Sequence, residues 1–281
     1  MSTPRLLILF GLPLLIVIAG AVIFVIPHMQ PQPVDPTGAI EQLISTGSCQ
    51  KCDLRSAHLR DIDRADIDLS GAILRNADMK YARMPNANFA NADMQRAEME
   101  ESDLSGSTFA NAKLRNADME KGKAPGANFS GADLRNADFD ETDVTDANFA
   151  GADMRDITMK RAVMARAVLE KVQLNDANLE RTDIQGADFS GANLSGSDID
   201  RAQAINASFI DADLSGARMS HGDFSGAQFT GAKMDRTTLQ RSRLSGADLT
   251  GASGLTQDML ATACGDAATK LPSGLTLANC Q

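Results

Sequence analysis

Four cysteines, three histidines and 37 acidic residues are the groups in this 281-residue chain that could do chemistry. Cys49-Gln50-Lys51-Cys52 has the spacing of a dithiol redox pair, which works when one thiol is held as thiolate at a helix N-terminus or beside cations. Cys264 and Cys280 bring the sulfur ligands to four, enough for a zinc ion if all of them meet. His28, His58 and His221 are scattered, and no nucleophile–histidine–acid set, metal-ligand spacing or glycine-rich phosphate loop accompanies them. The carboxylates suit glycosidase chemistry only if two face each other across a cleft. Each possibility depends on which elements hold these groups.

Those elements follow from a rhythm of five running from Cys52 to Ala252. Of the 40 residues taken every fifth position from Leu54 to Leu249, 37 are Leu, Met, Phe, Ile or Val, and only Arg64, Ala124 and Ala204 are not. A small residue, usually Ala, stands two before each. A period of five is neither the 3.6 of a helix nor the 2 of a lone strand, and it predicts a solenoid. Alternation on an extended segment sends the large residue and the small one inward. The second residue after the centre is often Gly, Asn or Asp, types that accept the backbone of a tight corner.

A longer period counts the sides. Phe89, Phe109, Phe129, Phe149, Phe189, Phe209 and Phe229 share one phase of a 20-residue cycle, so four units make a turn and Phe stacks on Phe up one wall. The expectation is an all-β, four-walled solenoid of about ten coils spaced ~4.8 Å apart, a rod ~48 Å long. Its interior is filled and offers no ligand channel. Carboxylates on its convex walls face no partner across a cleft, so the chain is read as not an enzyme and as needing no cofactor.

Units such as Ala87-Asn88-Phe89-Ala90-Asn91 and Ala132-Asp133-Leu134-Arg135-Asn136 closely resemble the pentapeptide repeat family, whose unit is commonly written A(D/N)LXX. The resemblance implies a right-handed quadrilateral β-helix. It implies little about function, because the motif residues are the core itself. An acidic surface, here with net charge −10, is similar to that of the DNA-mimicking members of the family that bind gyrase and confer quinolone resistance. Those members act in the cytoplasm, and a net negative rod repels nucleic acid itself.

The amino-terminal run argues for another compartment. Leu6 to Ile26 are 21 uncharged and mostly apolar residues, enough for a membrane-spanning helix. Ala19-Gly20-Ala21 matches a signal-peptidase site, but the apolar run continues beyond it, which suits an uncleaved signal anchor. Arg5 before the run keeps that end in the cytoplasm. The domain reading is an anchor over 1–27, a linker and amino-terminal lid over 28–48, the solenoid over 49–252 and a carboxy-terminal lid over 253–281. Thr37 to Thr46 reads as a short lid helix, and Thr256 to Ala263 as a second helix with Thr256 as its N-cap. Lids are needed because open solenoid ends expose unpaired backbone.

The four cysteines fall at the two ends of the solenoid, Cys49 and Cys52 at its start and Cys264 and Cys280 in the carboxy-terminal lid. A disulfide needs Cα atoms within ~7 Å, so ends ~48 Å apart leave only Cys49–Cys52 and Cys264–Cys280 within one chain. The same distance defeats a four-cysteine zinc site unless two chains meet. The CxxC lacks the helix N-terminus that would activate a thiol, although a thiol–disulfide role stays open. Disulfides and an exported domain agree with each other. The lid sequences are similar to those of exported bacterial pentapeptide proteins, which implies an inner-membrane, single-pass protein with its repeats in the periplasm.

The outward residues suggest where a partner binds. One corner column reads Asp61, Tyr81, Glu101, Lys121, Glu141, Arg161, Arg181, Arg201, His221, Arg241. Its second half is a basic ladder and the candidate docking strip for a protein or an anionic envelope component. Pairing with Glu180 and Asp200 would make it an ordinary solvated face. Val163 and Val168, outward on adjacent walls of one coil, are the candidate apolar contact. A second column reads Arg55, Arg75, Arg115, Arg135 and Arg155, and three of its members recur in Leu-Arg-Asn-Ala-Asp, where the following Asp offers a partner. Arg64 at a centre position predicts a register slip that turns Ile62 and Ile67 inward and Arg64 outward. The functional expectation is a non-catalytic, membrane-anchored interaction scaffold; a thiol–disulfide protein or a gyrase-binding DNA mimic is the alternative.

Overall fold

A computed structural model describes residues 14–18, 21–25 and 37–281. The chain divides into two compact units, Met1–Asp35 and Pro36–Gln281. In the first, β1 (Leu14–Ile18) pairs antiparallel with β2 (Ala21–Val25). This corrects the membrane-spanning helix expected over 6–26 wherever that run is described. The β-branched Ile16, Val17, Ile18, Val22, Ile23 and Val25 favour extended backbone. The rest of the run and the proline-rich linker lie outside the described residues. Among the described residues no helix is long and apolar enough to cross a membrane.

The second unit is the solenoid. Asp53 bridges Ile73, His58 bridges Asp78, Asp63 bridges Arg83 and Asp68 bridges Asn88, all in parallel. This 20-residue offset continues without a break from Ser48 to Ser253, giving four parallel ladders and therefore four walls. Each bridge uses both faces of one residue: Ile73 donates its N–H to Cys52 O (2.8 Å) and accepts from Leu54 N–H (2.8 Å). Between walls the chain makes a β-turn, as where Ala57 N–H donates to Leu54 O (3.1 Å) with Ser56 at φ 54°. Positive φ at the third turn residue is the mark of a type II turn. The corner residues expected to be turn formers occupy these positions.

The core is the predicted one. Centre residues and the small residues two before them are almost all buried. The rings of Phe89, Phe109, Phe129 and Phe149 stack with centroids 4.6–4.9 Å apart and planes within 7°. The stack resumes at Phe189, Phe209 and Phe229. Ala204 is a buried small centre residue, and Phe224, in the same slot one coil on, packs edge-on against Phe209 with centroids 6.3 Å apart. A Cβ on Gly222 would lie 2.5 Å from that ring.

Arg64 departs from its expectation. The register does not slip, since Asp63 still bridges Arg83 and Arg64 N–H donates to Arg83 O (2.9 Å). Instead the guanidinium leaves the first coil toward the lid helix α1 (Thr37–Thr46) and donates from Nη1 to Ile44 O. The last carbonyls of a helix lack internal partners and carry its negative end, so a cation is at home there. The end coil leaves room for it, because α1 rather than a further coil lies beyond this centre position.

At the far end α2 is shorter than expected, Gln257–Leu260, although Thr256 is its N-cap and accepts from Met259 N–H (3.4 Å). The helix stops because Cys264 must rejoin the ladder: Leu244 N–H donates to Cys264 O (2.7 Å). There β3 (Cys264–Gly265) pairs in parallel with β4 (Ala278–Asn279).

Candidate interaction surface

The cysteines are placed as the distance argument required. Cys49–Cys52 and Cys264–Cys280 are disulfides with Cα atoms 5.4 and 4.8 Å apart. Cys49 is fully buried against Ala39 of α1, and Cys52 is half-buried. His58 and His221 are exposed and far apart in the repeat. Among the described residues no three His, Cys, Asp or Glu side chains group as a metal site would.

The corner column has a property its sequence did not advertise. All ten of its residues hold positive φ, from 55° at Asp61 to 62° at Arg181 and His221. On the other three edges 25 of the 31 corner residues are Gly, Asn or Asp, the types that accept this backbone most readily; on this edge only Asp61 of the ten is. Left-handed backbone costs an ordinary L-residue ~1–2 kcal/mol. Nine consecutive coils bear that cost to place Tyr, Glu, Lys, Arg or His at one edge.

The electrostatics change along this edge. In the first half, Lys80 binds Glu100 (2.5 Å) and Glu98 (3.1 Å), which holds its amine well above the usual lysine range. The second carboxylate oxygen of Glu100 is buried without a partner. Burial pushes the Asp118 carboxyl up, and Glu100, Asp138 and Glu120 add repulsion. In the second half, Arg161 pairs with Glu141, while Arg181 (3.6 Å) and Arg201 (2.6 Å) share Glu180. Asp200 faces Arg218 (3.9 Å) rather than the edge arginines. His221 and Arg241 form no ion pair among the described residues. They line a polar groove of about 520 Å³ with Gln240, Asp258, Ala261 and Thr262, where the solenoid meets its lid.

Val163 is 37% exposed and Val168 half-buried, on adjacent walls as expected. Tyr81, on the corner column, is more open at 46%, and Ile210, open at 38%, was missed although its outward phase was readable. Four of the five arginines of the second column are paired, but not with the following Asp, and Arg115 forms no ion pair among the described residues. Arg55 binds Asp53 (2.6 Å), Arg135 binds Asp133 (2.7 Å) and Arg155 binds Asp153 (2.7 Å), each two residues back. Arg75 reaches Asp93 on the next coil (2.6 Å). The turn at each arginine carries the following Asp around to another wall.

Four parallel ladders, a filled core and side chains displayed only on the outside define a β-solenoid of stacked square coils. Residues 92–168 match the family described as Pentapeptide repeat region, and residues 48–89, 162–201, 187–226 and 223–253 match Pentapeptide repeats (8 copies). The chain belongs to the pentapeptide repeat family.

Among solved structures it is similar to HetL, a pentapeptide repeat protein involved in heterocyst differentiation regulation from the cyanobacterium Nostoc sp. strain PCC 7120. That likeness has 25% identity and a TM-score of 0.32, over 77% of this chain and 92% of HetL. QnrB1, a plasmid-mediated fluoroquinolone resistance protein, is 17% identical over 68% of this chain and 92% of its own, with a TM-score of 0.38. Rfr23 from the cyanobacterium Cyanothece 51142 is 15% identical over 73% of this chain and all of its own, with a TM-score of 0.17. No curated protein matches the chain.

Proposed function

We propose that this protein is a non-catalytic scaffold that captures a protein partner along the edge from Tyr81 to Arg241, on the outer face of a bacterial inner membrane. One observation carries the reading: nine consecutive corner residues sit in left-handed backbone with side chains that do not favour it. Strain of this kind persists where the side chain is needed. Arg161, Arg181, Arg201 and Arg241 offer the partner cations along one edge, with the His221 imidazole between the last two. Val163 and Val168, just around the corner, add apolar contact. The apolar run 6–26 supports membrane attachment, and the two disulfides support an oxidising compartment.

A DNA mimic needs acidic charge along its rod, and the basic second half of this edge breaks that pattern. A CxxC oxidoreductase needs an accessible thiol, and Cys49 is buried. The test is in-cell photo-crosslinking from position 201, with position 131 on a glycine-rich edge as control. A single adduct from 201, lost in Arg161→Glu/Arg181→Glu without change in circular dichroism, is expected. Equal adducts from both positions, or fractionation of the chain with soluble cytoplasmic proteins, would overturn the reading.

A further inference from the structure

A different edge carries a second site. Arg75, Asn76, Gln95, Arg96, Arg115 and Asn116 line a polar pocket of about 300 Å³ on three successive coils. The arginine column at this corner runs Arg55, Arg75, Arg115, Arg135, Arg155, with Gln95 where an arginine is due. The missing cation has moved one residue on, to Arg96, in a column that otherwise reads Asn76, Asn116, Asn136 around it. Arg96 therefore sits at φ 57°, where Asn would rest more easily. The displacement puts a guanidinium between those of the coils before and after.

The local carboxylates are already engaged. Asp93 accepts from Arg75 Nε (2.8 Å) and Nη2 (2.6 Å) and from Gln95 Nε2 (3.0 Å). Asp133 is held by Arg135 (2.7 Å), and Glu98 on the next wall by Lys80 (3.1 Å). Arg96 and Arg115 form no ion pair among the described residues. Two guanidinium forks outside any ion pair, of which Arg115 acts on Asp133 only at longer range, and the side-chain amides of Asn76 and Asn116 thus line one pocket on a chain of net charge −10.

We infer that this pocket binds a tetrahedral oxyanion of the phosphate class, clamped between Arg96 and Arg115 and completed by the two asparagine amides. Guanidinium forks match phosphate oxygens in pairs and form strong charge-assisted hydrogen bonds. The site is separate from the partner-binding edge and does not depend on it. Free phosphate and a phospholipid headgroup present the same chemistry.

The test uses the full-length chain in a neutral detergent. Calorimetric titration with inorganic phosphate at constant ionic strength is run beside binding to micelles doped with phosphatidylglycerol. Arg96→Asn should weaken binding at least tenfold while the thermal midpoint stays or rises, because left-handed strain is relieved. Arg155→Gln, an arginine paired outside the pocket, should bind as the parent does. Arg96-dependent binding of phosphate identifies a free oxyanion, and Arg96-dependent binding of doped micelles alone identifies a headgroup. Binding that ignores Arg96 in both arms, or none in either, overturns the site. A fall in thermal midpoint with Arg96→Asn would show that arginine to be structural.

Discussion

Arg241→Gly should make this protein more stable, although it removes a large charged side chain. Arg241 holds φ 57°, a backbone that costs an L-residue ~1–2 kcal/mol and glycine almost nothing. Glycine also loosens the unfolded chain, which takes back ~0.4–1 kcal/mol. Arg241 has no ion pair to lose among the described residues, and its backbone N–H, which donates to the Thr262 hydroxyl (3.2 Å), survives the change. The net expectation is a gain of about 1 kcal/mol. Arg201→Gly has the same backbone but severs the 2.6 Å bond to Glu180, so its gain should be smaller. The measurement is the urea midpoint by circular dichroism, joined to amide exchange over residues 224–244, because stacked coils can unfold in pieces. A lower midpoint and faster exchange in Arg241→Gly would show that the edge bears no strain, and the case for a selected docking edge would fall with it.

Three further outcomes are expected. Gly222→Ala drives a Cβ to 2.5 Å from the Phe224 ring in a core with no slack, and should lower stability by ~1–3 kcal/mol in thermal unfolding. Replacing Cys264 and Cys280 with serine opens a 16-residue loop and should cost ~3 kcal/mol, against about 2 for the tighter Cys49–Cys52 loop, both read from denaturant midpoints. Lys270 beside Asp248, with the Thr250 N–H and hydroxyl, holds that carboxyl down to about 2. A depressed carboxylate stabilises above its unfolded pKa and loses that contribution as pH falls toward 2. The stability gap between the parent and Lys270→Ala should therefore be full at pH 5 and close between pH 4 and 2, as read by thermal midpoints.

The fold was legible because each inward slot accepts one kind of residue, so the Phe phase alone counted the walls. The disulfides were legible because distance along a rod excludes every other pairing. Arg64 was not: its partner, the Ile44 carbonyl, belongs to a lid stacked on the coil, and no period in the repeat refers to the lid. Arg135 was assigned the Asp after it rather than Asp133 before it, because phase places a side chain on a wall without saying which way it leans. The amino-terminal run was read by length and hydropathy, while its β-branched residues also fit the strands β1 and β2. The strain along the docking edge was hidden for another reason. Gly, Asn and Asp announce a left-handed corner by their presence, and an arginine there announces nothing.

The parallel ladders also make this molecule a mechanical object. Successive coils are joined by hydrogen bonds lying along the rod, so tension applied between its ends loads them one coil at a time. Each coil that yields frees 20 residues, about 66–72 Å of extended chain. The segment between Cys264 and Cys280 is withheld from extension by its bridge. A force trace of the repeat region should be an evenly ruled sawtooth, its teeth varying in height with what each coil packs inside.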